Sequence, residues 1–418
     1  MPRRSHRHRT FTHASHWPGL AWPDLVRHLD RRPFPQVAVR PRASITSITD
    51  LTSSKKYFIL FFLDVYRSRT NIYGDNEAMD TKYAFWNNKG GTGKTSLAFQ
   101  SITRYAEKHP KKRVLAIDIC PQANLSELML GGLNNKGSEK LLGRHGLVPR
   151  CSLGGYFQLR LPSPYAPPTF NAHDFITKPN DYNKGITKNI DLVCGDPLLE
   201  LQANAVNTLA NQNIPGTNAW IAVIDWLRTF LEQVNAEYDT VFMDCNPSFS
   251  LYTQIALATT ERIILPVMAD DSSRRAIQNA FSLIFGLKLP SEIYASYAFA
   301  TKLKDAKRPL PKVHLIAKNR ITQYMGSASA YAAVLAAIQN DVQQLLKSNP
   351  EIFSFKTIGA GFVDIRDFQT TGVVAFAKGL PFSKLQAGKT SINGHRVQVK
   401  QEYLSNSIEA IEDLVAHL

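Results

Sequence analysis

Tyr83-Ala84-Phe85-Trp86-Asn87-Asn88-Lys89-Gly90-Gly91-Thr92-Gly93-Lys94-Thr95-Ser96 is the stretch whose reading decides the fold. Its first four residues are apolar and aromatic and suit a buried strand, and Leu97, Ala98, Ile102 and Tyr105 follow the glycines at helical spacing. Strand, glycine turn and helix in that order let successive backbone N–H groups curl round an anion at the positive end of the helix. Lys94 is placed to reach the β- and γ-phosphates of a nucleotide, and the Thr95 hydroxyl to complete a magnesium shell. The run from Lys89 through Gly90, Gly91, Thr92, Gly93, Lys94 and Thr95 to Ser96 is therefore the expected nucleotide-contacting loop. A plain glycine turn before a helix is the alternative. Two lysines and a hydroxyl in register argue against it.

Working outward, 418 residues suffice for one large α/β domain or two smaller ones. The formal net charge is +15, and residues 1–78 carry 13 Lys and Arg against 6 Asp and Glu. Such a balance permits an acidic partner such as DNA without requiring one. Cys120, Cys151, Cys194 and Cys245 form no C-x-x-C pair and have no histidine at zinc-like spacing, so reduced thiols and a cytoplasmic protein are expected. No apolar run reaches membrane-spanning length; the best, Tyr57 to Leu63, is cut short by Asp64.

Residues 1–78 show no lasting period of 2 or 3.6. They hold a basic cluster (Arg3, Arg4, His6, Arg7, His8, Arg9) and prolines at 18, 23, 33, 35 and 41. They read as a disordered extension, with a nucleic-acid-binding arm or a true start at Met79 as alternatives. From residue 79 to 418 strands alternate with amphipathic helices, which predicts a mostly parallel twisted sheet covered by helices on both faces. Arg113 to Asp118 is a strand ending in a carboxylate, and Tyr238 to Asp244 is a second. Carboxylates at such strand ends line the ligand crevice of open α/β sheets and suit magnesium or its waters. Residues 131–190, rich in Pro and Gly, read as an irregular insertion. One helix is expected across Trp220, Val223, Ile224, Leu227 and Leu231. Another is expected to be capped by Asp271 or Ser272 and to run to about 287. Lys302 to Lys312 reads as a basic loop, residues 327–347 as a helix, and Leu404, Ile408, Ile411, Leu414 and Leu418 as one face of a terminal helix.

Lys89-Gly90-Gly91-Thr92-Gly93-Lys94-Thr95 departs from the common phosphate loop, which needs glycine where this chain has Asn88, and resembles the deviant Walker A motif of the ParA/MinD family of P-loop ATPases. Asp118-Ile119-Cys120-Pro121-Gln122 resembles that family's D-x-D-P-Q segment, and Asp244-Cys245-Asn246-Pro247-Ser248 its D-C-P-P-S. Ile263 to Val267 is similar to its I-I-P-V strand, and Asn319 stands where an adenine-contacting asparagine is usual. The stretch from Ile365 to Phe382 is similar to its late segment. The resemblance implies an ATP- and Mg2+-dependent ATPase with Lys89, Lys94, Asp118 and Asp244 as catalytic residues and Thr95, Asp118 and Asp244 around the metal. It also implies a homodimer closed by Lys89 reaching the other subunit's phosphates, non-specific DNA binding, a ParB-like adaptor, and a role in plasmid or chromosome partition or cargo positioning. Basic residues of the C-terminal third, Lys378, Lys384, Lys389, Arg396 and Lys400 among them, are the candidate DNA contacts that the resemblance implies, with an ordinary solvated surface face as the alternative.

One departure bears on mechanism: the second aspartate of D-x-D-P-Q is Cys120 here. A thiol titrating near about 8.5 is mostly neutral at pH 7 and a poor acceptor, so slow intrinsic hydrolysis is expected. A non-hydrolysing regulatory module is the competing reading. An iron-protein-like reductase would need Cys151 or Cys194 to bridge a cluster, and their spacing gives no support. A tyrosine kinase would need a tyrosine-rich tail, and after Tyr331 only Tyr403 remains.

Overall fold

The computed structural model describes residues 81–321 and 330–418. The readings of residues 1–78 and Met79, and the first three residues of the helix expected at 327–347, lie outside the described residues; the rest of that helix runs from Ala330 to Ser348.

Eight strands alternate with helices along the chain: β1 (Thr81–Phe85), β2 (Val114–Asp118), β3 (Ile176–Thr177), β4 (Ile190–Val193), β5 (Thr240–Asp244), β6 (Arg262–Val267), β7 (Lys312–Ile321) and β8 (Phe362–Arg366). They join one sheet in the order β3-β4-β2-β5-β1-β6-β7-β8. Every neighbouring pair is parallel except β3 with β4. Strand alternation sends Tyr83, Phe85, Val114, Ala116, Phe242 and Ile264 into one apolar cluster and Ala84, Trp86, Leu115, Ile117, Val241 and Ile263 into another. These strands read as unbroken apolar runs because both faces are covered. The expected α/β architecture of a P-loop NTPase is the one observed.

Five helices matter for the site. They are α1 (Lys94–Lys108), α2 (Asn124–Met129), α3 (Asp271–Phe285), α4 (Gln369–Lys378) and α5 (Gln401–Val415). Helix α1 buries Leu97, Ala98, Ile102 and Tyr105, the residues read as its apolar face. It packs beside α5, which buries Leu404, Ile411 and Leu414 on the same side of the sheet.

Several local expectations need correction. The single helix expected around Trp220 to Leu231 is two, Ala219–Ile224 and Trp226–Gln233, broken at Asp225. There the carboxylate is held by Arg228 at 3.1 Å and by Arg308 at 2.5 Å. The cap of α3 is Asp270, whose side chain accepts from the Ser273 N–H, rather than Asp271 or Ser272. The basic loop begins as a helix, Phe299–Asp305, because Phe299, Ala300 and Leu303 are buried. Residues 131–190 are more regular than expected and contain the helices Gly137–His145 and Leu153–Arg160 and the edge strand β3. Helices this short complete too few turns for a period of 3.6 to show.

The sequence reading passed over a second, two-stranded sheet. Strands β9 (Gly388–Ile392) and β10 (His395–Val399) form an antiparallel hairpin. Its turn is Asn393-Gly394, with φ of 47° and 82°. Asn-Gly between two short strand-like runs is the strongest local hairpin signal, so the sequence did carry it.

Candidate functional site

Register brings the pieces together. Phe85, at the end of β1, pairs with Asp244 at the end of β5, which pairs in turn with Asp118 at the end of β2. Both carboxylates therefore sit at the carboxyl edge of the sheet, beside the loop that leaves β1. That edge is where ligands bind in open α/β sheets.

The loop has the makings of an anion cradle. Gly91 and Gly93 take φ of 72° and 86°, and Gly93 is the residue on which α1 begins. The backbone N–H groups of Gly90, Gly91, Gly93, Lys94 and Thr95 find no acceptor among the described residues. A Cβ added at Gly90 or Gly91 would meet nothing within 4 Å, so the space outside the loop is open. Unsatisfied donors at a helix start, facing open space, fit phosphate. Lys94 is buried, with its ammonium donating to the Lys89 carbonyl at 2.9 Å. Burial lowers its pKa, and the nearby Asp244 partly offsets that shift.

Asp244 is the least satisfied group in the site. It is 1% exposed, and neither carboxylate oxygen has a hydrogen-bond partner. Burial, with the neighbouring Asp118 adding to it, pushes its pKa up to about 8, while Thr95 and Lys94 pull the other way. Asp118 differs. Its oxygens accept from the Cys120 N–H at 3.0 Å, the Ser126 N–H at 2.9 Å and the Ser126 hydroxyl at 2.8 Å, so it also pins the start of α2. Burial raises it to about 6, and those hydrogen bonds moderate the rise. Two adjacent buried carboxylates, one without a partner, fit a hard divalent cation that takes its other ligands from phosphate and water.

Lys89 does not point into open solvent. Its ammonium lies 2.7 and 2.5 Å from the two carboxylate oxygens of Asp270 and 3.2 Å from the Ser273 hydroxyl. Burial opposes ionisation of Asp270, but Lys89, Ser272 and Ser273 hold its carboxyl down to about 2. Asn319, at the end of β7, donates to the Thr92 carbonyl at 2.8 Å, and its carbonyl oxygen accepts from the Arg320 N–H at 2.9 Å. Its amide is packed so closely on the loop that a Cβ at Gly93 would overlap it. Beside this contact lies a cavity of about 640 Å³, lined among others by Gly93, Ser96, Asn319, Phe368, Phe376 and Ile392. Its size and apolar walls suit a nucleoside.

Cys120 is 7% exposed and donates to Gln122 Oε1 at 2.7 Å. Burial, followed by the charges of Asp118 and Asp244, pushes the thiol up to about 12, so it stands as a neutral donor beside two carboxylates. All four cysteines are free and buried. Cys151 and Cys194 are each 0% exposed, which leaves neither on a surface where a cluster could bridge two chains. The sequence reading missed Asp270, which touches Lys89 from 181 positions away. Among the described residues no helix is long and apolar enough to cross a membrane.

Comparison with known proteins agrees with this geometry. Residues 81–289, half of the chain, match the family model AAA_31, described as an AAA domain. The chain is similar to the cell division protein PomZ of Myxococcus xanthus (strain DK1622), with 27% identity over 204 residues covering 49% of this chain and 51% of that protein. It thus spans about half the length of the curated relative it matches. Among solved structures it is similar to apo McdA from Cyanothece, with a TM-score of 0.50 and 14% identity over 80% of this chain and 98% of that one. That likeness is one of fold.

Proposed function

The chain belongs to the AAA_31 family and has the ParA-like P-loop fold, and from that premise we propose that it is an ATPase acting as an ATP-dependent dimer switch that positions DNA or another cargo. The observation that carries the reading is the juxtaposition of the donor-rich loop at Gly90 to Thr95 with the unpartnered Asp244 carboxylate. One feature seeks an anion and the other a cation, so magnesium nucleotide satisfies both.

The residues divide the work as follows. The loop N–H groups and Lys94 hold the phosphates, with the ammonium leaving the Lys89 carbonyl to do so. Thr95 and Asp244 would hold magnesium, with Asp118 beside them, and the ion would supply charge neutralisation for the phosphates. The cavity at Asn319 and Phe376 takes the base. Lys89 exchanges Asp270 for the phosphates of a second subunit, so nucleotide favours the dimer only through contacts absent from the monomer. A neutral Cys120 cannot orient the attacking water as a carboxylate does, which makes intrinsic turnover slow and leaves room for stimulation by an adaptor. The same observation favours a second reading, a switch that binds nucleotide without hydrolysing it.

Mass measurement in solution with Mg-ATP, with Mg-ADP and without nucleotide tests the switch. Association with ATP alone is expected, and a monomer under all three conditions refutes it. Phosphate release, measured with and without duplex DNA, separates the two readings.

A further inference from the structure

A serine, a histidine and a main-chain carbonyl meet at the amino edge of the sheet, the edge opposite the loop and carboxylates of the nucleotide site. Strand β8 joins β7 only from Ile316 onward. The open start of β7 is taken instead by Phe353, bridged in parallel to Val313, and the Ser354 N–H donates to the Val313 carbonyl at 3.0 Å. Ser354, which is exposed, is thereby set beside His314. Its hydroxyl lies 2.7 Å from His314 Nδ1, and His314 Nε2 lies 2.6 Å from the His417 carbonyl just beyond α5. A carbonyl can only accept, so Nε2 carries the proton, and in the neutral ring Nδ1 is the bare nitrogen that accepts from the serine. The Val313 carbonyl, at 3.5 Å, is a far weaker acceptor for that hydroxyl. Burial lowers the His314 pKa, the His417 carbonyl opposes the fall, and the charges of Arg262 and His417 add to it, so the imidazole is neutral near pH 7. The Tyr83 ring meets it edge-on, with centroids 5.6 Å apart.

We propose that Ser354 and His314 are the nucleophile and general base of a second site, one that cleaves a carboxylic ester with an apolar acyl group, separate from the nucleotide site. Ser354 lines a cavity of about 820 Å³ whose lining also includes Leu310, Leu346, Phe353, Phe355 and Arg262. The four apolar side chains suit an acyl chain. The N–H groups of Phe355 and Lys356, the two residues after the serine, find no acceptor among the described residues and are the donors available to an oxyanion. Ser354 Oγ attacks the ester carbonyl carbon as its proton passes to Nδ1, and the imidazolium gives that proton to the departing alcohol as the ester C–O bond breaks. Water then attacks the acyl-serine and loses a proton to Nδ1. The serine oxygen leaves and takes that proton back, so one ester and one water give one acid and one alcohol. The His417 carbonyl orients the ring as the third member of a triad does, but it supports the imidazolium less than a carboxylate would, so turnover is slow.

The test treats the full-length protein and its S354A and H314Q variants with a fluorophosphonate probe, maps the adduct by peptide mass spectrometry, and follows p-nitrophenol release from p-nitrophenyl butyrate. Thermal melting and self-association with Mg-ATP are measured alongside. An adduct on Ser354 is expected in wild type, with no labelling of this peptide in S354A. Both variants are expected to hydrolyse the ester about a hundredfold more slowly or worse, the loss that goes with removing a nucleophile or its base. Ser354 is exposed, so S354A is expected to melt and to associate with ATP as wild type does. His314 also holds the His417 carbonyl, and should H314Q fail to fold, S354A and the adduct map carry the decision. No adduct on Ser354, no hydrolysis by wild type, or hydrolysis that S354A retains in full overturns the proposal. None of these results bears on the ATP switch, which the association measurement judges by itself.

Discussion

Replacing Asp244 by Asn should make the nucleotide-free protein more stable, and increasingly so as pH rises. The buried Asp244 carboxyl has no hydrogen-bond partner and is pushed up to about 8, against about 4 in an unfolded chain. Its folded pKa lies above its unfolded value. The favourable contribution is therefore fully present below about pH 4 and is lost progressively as pH climbs through 8. Each unit corresponds to about 1.4 kcal/mol, so the wild-type chain gives up on the order of a few kcal/mol by pH 8. The amide keeps the shape and carries no charge, and it also removes repulsion from Asp118. At roughly 2 °C per kcal/mol for a chain of this size, the variant should melt on the order of 5–10 °C higher at pH 8 and only slightly higher at pH 5. The assay is calorimetric or fluorescence melting in a chelating buffer across pH 5 to 8, repeated with Mg-ATP. Magnesium nucleotide should raise the wild-type melting temperature and leave that of the variant nearly unchanged. A variant less stable than wild type at pH 8 without ligand, or a gap that does not vary with pH, would falsify the placement of an unpaired charge at Asp244.

Gly93→Ala should abolish nucleotide binding, because the position needs a φ of 86° and the added methyl would overlap Asn319; titration with a fluorescent ATP analogue reads this, and unchanged affinity refutes it. Asp270→Asn keeps an N-cap for α3 but removes the charge that holds Lys89. ATP-driven association should then begin at several-fold lower protein concentration in ultracentrifugation, and an unmoved midpoint would show that the ion pair exerts no restraint. Cys120→Asp restores a carboxylate beside the expected γ-phosphate and should speed phosphate release about tenfold or more, equivalent to about 1.4 kcal/mol of barrier; no gain would mean that turnover is limited elsewhere.

The sequence by itself determined the fold class and most of the candidate site. The loop residues Lys89 to Ser96 are contiguous, and the apolar runs ending in Asp118 and Asp244 are local patterns that a strand buried on both faces imposes. Its errors were of two physical kinds. Short helices such as Ala219–Ile224 and Phe299–Asp305 are fixed by what they pack against, and too few of their turns exist for a period to appear. The hairpin at Asn393-Gly394 did announce itself, but a two-stranded ribbon acquires a meaning only once one of its faces is seen against the nucleotide cavity. Only the tertiary structure decided which groups meet. It put Asp270 on Lys89 and Asn319 on the loop, and it left Asp244 bare while Ser126 and the Cys120 N–H satisfy Asp118. Such pairings join residues far apart along the chain. Sheet order and helix placement fix them, and no local spacing encodes either.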